Sequence, residues 1–298
     1  MQKDKRQSLI HLHFLIFLWG FTSILGALIS LEALPLVWFR VFIASILIGV
    51  FFLLFSKKSF KIPQGALRYF ILGGLIISVH WVLFFFAIKI SSISLTLSIL
   101  SSASLMTSIL EPIVYKRPFR LYELFFGAFV IVGLYLIFGV QKENLLGIIA
   151  ALVCTLLSVI FSLLNGKLIH RYSAPTISFY QLLSGTFFMS IGMMFFVENP
   201  AQVFSMTQMD WIWLFILASV CTAYATIGSV VILKHVTPFT MMISLNLEPV
   251  YGILFSLLIF GEKELMSTQF YIGVIIILSG VVGNGIYKLN AEKKEVRK

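Results

Sequence analysis

Ten stretches of about twenty mostly apolar residues follow one another along this chain, each long enough to cross a bilayer as a helix. They run over roughly 10–30, 36–55, 68–88, 93–114, 121–139, 145–165, 176–196, 211–233, 239–260 and 268–287, bounded by charge, proline or polar clusters. Ten spanning helices take up about 200 residues, which leaves the remainder of the 298 for short loops and tails. No separate catalytic or regulatory domain fits. Of the chain, 59% is apolar and only 11% charged, whereas a soluble domain is about a quarter charged. A globule of this length has no core large enough to hide so much apolar surface, so a soluble enzyme is excluded.

The net charge of +10 could suggest a nucleic-acid partner, but its placement says otherwise. With the N-terminus inside, Lys and Arg collect on one side: in the N-tail, at 57–68, 116–120 and 167–171, at Lys234 and in the C-tail. The opposite loops carry only Lys89, Lys142 and Lys263, and Arg40 falls just inside the second helix. This is the positive-inside pattern, and it predicts that both termini face the cytoplasm. The basic N-terminus ahead of an apolar run superficially resembles a signal peptide. The run continues to about Ser30 without a small-x-small cleavage site, so a retained first helix is expected. Cys154 and Cys221 both lie in apolar runs and offer neither a disulfide framework nor metal spacing.

The chain also repeats itself. A shift of 140 aligns Pro35 and Phe39 with Pro175 and Phe179. A shift of 145 aligns Phe70-Ile71-Leu72 with Phe215-Ile216-Leu217 and Lys89 with Lys234, and a shift of 146 aligns Gly127 with Gly273. Two repeats of five helices follow, over 1–143 and 144–298. Because five is odd, they must enter the membrane with opposite polarity. Inverted repeats of this kind are a transporter design, with the binding site near mid-bilayer between the halves.

The first helix carries Leu18-Trp19-Gly20-Phe21 and the second begins Trp38-Phe39-Arg40-Val41. The fourth ends in a serine-rich run with Leu110-Glu111-Pro112, and the ninth leads into Phe260-Gly261-Glu262. In this order, over essentially the whole chain, these motifs resemble the EamA family of the drug/metabolite transporter superfamily. The resemblance implies ten helices around a central cavity lined mainly by helices 1, 3, 4, 6, 8 and 9. It implies alternating-access export of small metabolites, often amino acids, from the bacterial inner (plasma) membrane, without a cofactor. Nucleotide sugars and cationic drugs are the alternative cargoes. The expected partners are the cargo, membrane lipids and protons, with no nucleic acid, and the chain would act as a monomer or homodimer. After the fourth helix the sequence reads Tyr115-Lys116-Arg117, so the Gly-Glu that closes the ninth has no counterpart there.

A charge in the hydrocarbon region costs several kcal/mol, so intramembrane ionisable groups mark function by default. Glu248 lies about ten residues into the ninth helix, roughly 15 Å deep at 1.5 Å per residue. Ser244, Tyr251, Gly252 and Phe255 share its face. It can bind a substrate ammonium or carry a proton. Alternatively it can cover the Leu245 carbonyl that Pro249 leaves without a donor. His80 is about as deep in the third helix, as a titratable cavity residue or a simple interhelical hydrogen bond. Arg40 is about five residues from the outer boundary, where it would snorkel to headgroups or form a positive outer mouth. Glu111, near Lys116 and Arg117, reads as an inner gate or ion-pair residue.

Small and polar stripes lie at similar depth: Trp19, Thr22, Ser23 and Gly26 on helix 1; Ser101, Ser104, Ser108 and Glu111 on helix 4; Cys154, Ser158 and Asn165 on helix 6. Tyr224 is mid-depth in helix 8. Such stripes serve either close packing or a cavity wall. His11 and His13 are two apart, about 200° around a helix, and cannot chelate from one face. An intramembrane enzyme is not expected. The only aspartates, Asp4 and Asp210, fall outside the expected helices, and Ser184-Gly185 and Ser279-Gly280 lack the leading Gly of an intramembrane serine protease.

The orientation is directly testable. A single cysteine in the 140–145 loop should react with a membrane-impermeant maleimide from outside the cytoplasm; labelling from the cytoplasmic face alone would overturn the topology.

Overall fold

The computed structural model describes residues 2–55, 65–119, 121–140, 145–199 and 203–296. The expected boundary between the repeats, at 143–144, lies outside them. Among the described residues the chain is all helix and no strand occurs. Span 1 is α1 (Gln2–Leu28), span 2 is α2 (Ala33–Phe55) and span 3 is α3 (Leu67–Ile90). Span 4 is broken into α4 (Ile93–Leu100) and α5 (Ala103–Tyr115), and α6 (Leu121–Val140) completes the first five. The second five begin with α7 (Leu145–Leu168) and α8 (Ala174–Phe196). Span 8 consists of α9 (Gln208–Ala218), a π-turn (Ser219–Tyr224) and α10 (Ala225–Ile232). Span 9 is broken into α11 (Pro238–Leu245) and α12 (Glu248–Phe260), and α13 (Thr268–Val296) is last. Eight spans are long and apolar enough to cross a bilayer, and α6 and α13 carry shorter apolar stretches over Phe125–Ile137 and Thr268–Gly280. The described residues thus form ten helical spans, eight of them long and apolar enough to cross a bilayer.

Three spans depart from the regular helices expected. Span 4 breaks at Ser101-Ser102 and span 9 at Asn246-Leu247, positions 145 apart. Serine and asparagine side chains compete for backbone partners and so weaken a helix where they cluster. Asn246 Nδ2 donates to the carbonyls of Met242 (3.2 Å) and Ile243 (3.1 Å), covering the end of α11. Pro249, which has no N–H to give, follows one turn-step into α12. In span 8 the Thr222 hydroxyl donates to the Leu217 carbonyl five residues back, at 2.7 Å, the widened spacing of the π-turn.

Exposure is inverted relative to a soluble protein. Leu53, Met194, Phe196 and Leu258 are largely exposed on the perimeter, while Ser23, Ser94, Thr107, Thr155 and Thr222 are buried. Many interior hydroxyls donate to the carbonyl three or four residues back, as Thr155 does to Ala151 (2.7 Å) and Thr107 to Ala103 (2.6 Å). No helical carbonyl there has water to turn to, so local back-bonding is the cheap solution.

Close helix crossings rest on glycine. In α6 against α13, a Cβ on Gly133 would sit 2.6 Å from the Gly273 carbonyl oxygen. In α3 against α8, a Cβ on Gly74 would lie 2.8 Å from the Gly185 nitrogen. Both obstacles are backbone, which cannot move aside as a flexible side chain can. Gly74→Val should therefore cost about 1–3 kcal/mol by overpacking, read as a lower Tm of the detergent-purified protein. Gly49→Ala, which meets only the Phe179 ring at 3.2 Å, should be tolerated. Equal melting of the two variants would contradict this account of the crossing.

Candidate functional site

The two helix breaks and the π-turn lie in the middle third of the bundle, and the cavity forms beside them. About 940 Å³ of empty space, counting the part open to solvent, is lined by spans 1, 2, 3, 4, 6, 8 and 9. Its polar wall includes Thr22, Arg40, His80, Ser158, Asn165 and Glu248. Leu100 and Ala103 border it on either side of the break in span 4, and Leu245 and Glu248 do so in span 9. The wall residues of spans 6, 8 and 9 reach Asn165, Leu233 and Met241, so the space extends from mid-bundle towards the end where α7, α10 and the start of α11 meet.

Arg40 lies seven residues into α2, yet only 1% of it is exposed. Its Nε donates to the Thr222 hydroxyl at 2.7 Å and its Nη2 reaches the Cys221 carbonyl at 3.4 Å. The guanidinium lies 4.1 Å from the centre of the Trp81 ring and 5.5 Å from that of Phe85, a cation–π arrangement. Both span 8 acceptors belong to the π-turn, where the irregular backbone leaves a carbonyl and a hydroxyl turned towards span 2. The structure thus corrects the expected outer mouth. Arg40 does not snorkel to headgroups, because these acceptors and Trp81 hold its head inside the bundle at the cavity wall.

His80 also borders the cavity, and its Nδ1 lies 2.8 Å from the Cys154 carbonyl across α7. A carbonyl can only accept, so Nδ1 carries the hydrogen and Nε2 is left as an acceptor. Glu248 is the first residue of α12 and borders the same space. No bond from its carboxyl to the Leu245 carbonyl, the kink reading, is present among the described residues, and Asn246 donates instead to the carbonyls of Met242 and Ile243. The Glu248 carboxyl makes no hydrogen bond or ion pair among the described residues. Its charge and that of Arg40 act on each other without contact.

Of the other expected residues, Trp19, Thr22 and Ser158 line the cavity. Ser23, Ser101, Ser104 and Ser244 are spent on their own helices. Their hydroxyls donate to the carbonyls of Gly20 (2.8 Å), Leu97 (3.5 Å), Ser101 (3.4 Å) and Thr240 (2.9 Å). None of the four borders the cavity, where Leu100 and Ala103 stand in span 4. Tyr251 packs edge-on to Phe17, with ring centres 5.7 Å apart, and abuts Gly20. Tyr224 is 45% exposed and bonds His11 Nε2 at 2.7 Å on the outside of the bundle. The π-turn rotates Tyr224 off the face that regular helical spacing predicts.

Glu111 is buried near the far end of span 4. One carboxylate oxygen pairs with Arg117 Nε at 3.2 Å, and the other accepts from the Phe239 backbone N–H at 2.8 Å, in the first turn of α11. At the opposite end of the bundle, Glu264 does the converse. It accepts from the N–H groups of Ile93 and Ser94, each at 3.1 Å, and from the Ser94 hydroxyl at 3.0 Å, in the first turn of α4. Each broken span thus closes the start of the other with a carboxylate, satisfying first-turn N–H groups that have no partner within their helix. The sequence reading stopped at Glu262 and missed Glu264. It quoted Leu110-Glu111-Pro112 but passed over its counterpart Leu247-Glu248-Pro249, and the two mark both spans as carrying a carboxylate beside a proline.

The model of the EamA-like transporter family matches twice, over residues 9–139 and 145–286. No curated protein matches the sequence. A solved structure titled only as a crystal structure of a protein superposes with a TM-score of 0.72 at 13% identity, covering 95% of this chain and 98% of its own. At that identity the likeness speaks for the fold alone. A family match over two segments that together span nearly the whole chain identifies it: the protein belongs to the EamA-like transporter family, and is a multi-pass membrane transporter of the drug/metabolite type.

Proposed function

We propose that this protein is a secondary active transporter that exports small metabolites such as amino acids by alternating access, with its two five-helix halves inverted about the midplane. The observation that carries this reading is the cavity itself. It lies between spans of both halves, beside both helix breaks, and Arg40, His80 and Glu248 border it. Irregular backbone at membrane depth is tolerated only where protein buries it or it lines a cavity, and discontinuous helices are a recurrent way to build a transport site.

The two carboxylate clasps are the gates in this reading. Glu264 joins the halves at one end and Glu111 at the other, so rocking the halves about the cavity opens one clasp while the other holds. A hydrogen bond to a charged acceptor contributes about 1.5–3 kcal/mol, so losing one shifts a two-state equilibrium by about tenfold or more. With Cys154 and Cys221 replaced by serine and Ser158→Cys as reporter, Glu264→Ala should speed labelling from the side of the Glu264 end. Glu111→Ala should speed it from the other side. Unchanged labelling in both variants removes the clasps from the gating cycle. Ser158→Trp, which fills the cavity, should abolish transport while the protein still inserts at normal levels; wild-type transport would take Ser158 off the path.

Glu248 is the carboxyl available for coupling, because a proton and a substrate ammonium can exchange on it. Arg40 and Cys154 are the neighbours on which its charge acts. Glu248→Gln preserves size and hydrogen bonding but cannot titrate. Vesicle transport driven by an imposed pH gradient should lose its pH dependence in this variant. Retained pH dependence would move the proton to His80.

A further inference from the structure

Arg40 and Glu248 are ionisable groups of opposite sign that border one cavity, and neither finds its full complement among the described residues. The guanidinium spends Nε on Thr222 and Nη2 on Cys221, and Trp81 covers its face. Its third nitrogen, Nη1, is buried and has no hydrogen-bond partner. The Glu248 carboxyl borders the same space and makes no hydrogen bond or ion pair among the described residues. A purely structural ion pair would close on itself, since long side chains in a low-dielectric interior gain most from contact. Here the π-turn and Trp81 anchor one charge, and the start of α12 fixes the other, so the pair is held apart.

Building on the transport reading, we propose that the cavity is a two-pole site for a zwitterion with an apolar side chain: Arg40 receives the cargo carboxylate and Glu248 its ammonium. Arginine suits the first pole because its planar fork matches a carboxylate, and the orphaned Nη1 is the donor left to offer. A zwitterion neutralises both poles at once. A cargo with only one charge leaves the other pole buried and unpaired, and such mismatches are the strongest source of rejection in a site. The rest of the wall sets the third element of recognition. Trp19, Ile77, Phe84, Phe161, Met242 and Leu245 form its apolar part beside hydroxyls of which those of Thr22, Ser158 and Ser229 donate to carbonyls of their own helices, and the Asn165 side-chain oxygen already accepts from Gln181 Nε2 at 2.8 Å. An uncharged apolar side chain fits these surfaces.

The test uses ligand-induced thermal stabilisation of the purified full chain, with leucine, methionine and phenylalanine as probes. At least one should raise the Tm clearly, while its amide, which lacks the carboxylate, and its deaminated acid, which lacks the ammonium, should not. Arg40→Lys, which keeps the charge but not the fork, and Glu248→Gln should each weaken the apparent affinity at least about tenfold. Arg40→Gln serves as a second variant if it melts like the wild type without ligand. An amide that stabilises as well as the amino acid overturns the role of Arg40, and an equally good deaminated acid overturns that of Glu248. Silence from all three amino acids overturns the site as a whole. The Ser158→Cys reporter separates this failure from that of the transport reading: labelling from both sides of the membrane keeps the transporter while the two-pole site falls, and labelling from neither side removes both.

Discussion

A polar group in the interior of a membrane protein has no water to fall back on, and every unusual feature of this molecule answers that constraint. An uninterrupted helix satisfies its own backbone, so a bundle of ten regular helices would need nothing further. This bundle gives up regularity in three spans, and each interruption releases amides or carbonyls that must find a partner at once. Asn246 covers the end of α11. Glu111 and Glu264 cover the starts of α11 and α4. The Cys221 carbonyl and Thr222 hydroxyl in the π-turn are met by Arg40. The interruptions and their partners form one system, and the cavity is the space that they enclose.

The same constraint explains why the charges of the middle third are so few and so placed. A guanidinium at that depth is sustained by two acceptors and an aromatic face, contributed by spans 8 and 3 to a residue of span 2. Glu111 and Glu264 each tie one half of the chain to the other at opposite ends of the bundle. The burial that makes such contacts strong also makes them two-state, because a carboxylate leaving its N–H partners has no intermediate place to go.

Much of the fold was legible in the sequence. Hydropathy and length give ten spans because the bilayer sets a helix length that composition must meet, and the 145-residue offset reappears as the spacing between the two helix breaks. The site was legible only in part. Trp19, Thr22, His80, Ser158 and Glu248, each conspicuous as a polar or aromatic group deep in an apolar run, border the cavity. Ser101, Ser104, Ser23 and Ser244 do not border it, since spacing along a helix does not say which polar face meets a cavity and which meets a neighbouring helix. Arg40 was expected at the outer mouth because a hydropathy pattern carries no trace of the π-turn in span 8, whose Thr222 hydroxyl and Cys221 carbonyl hold it inward. Tyr224, at the end of that turn, bonds His11 instead of bordering the cavity.

Sequence alone therefore determined the number and length of the spans, the sequence offset between the repeats and the short list of costly intramembrane charges, because each follows from transfer free energy summed along the chain. Tertiary structure decided which charge meets which partner. That Arg40 turns inward to span 8, that Glu264 rather than Glu262 closes α4, and that Glu248 stays unpaired while Asn246 serves the helix break all depend on contacts between segments distant in sequence. Such contacts are set by how helices cross at residues such as Gly74 and Gly133, where backbone meets backbone and a few tenths of an ångström decide which side chains can reach one another.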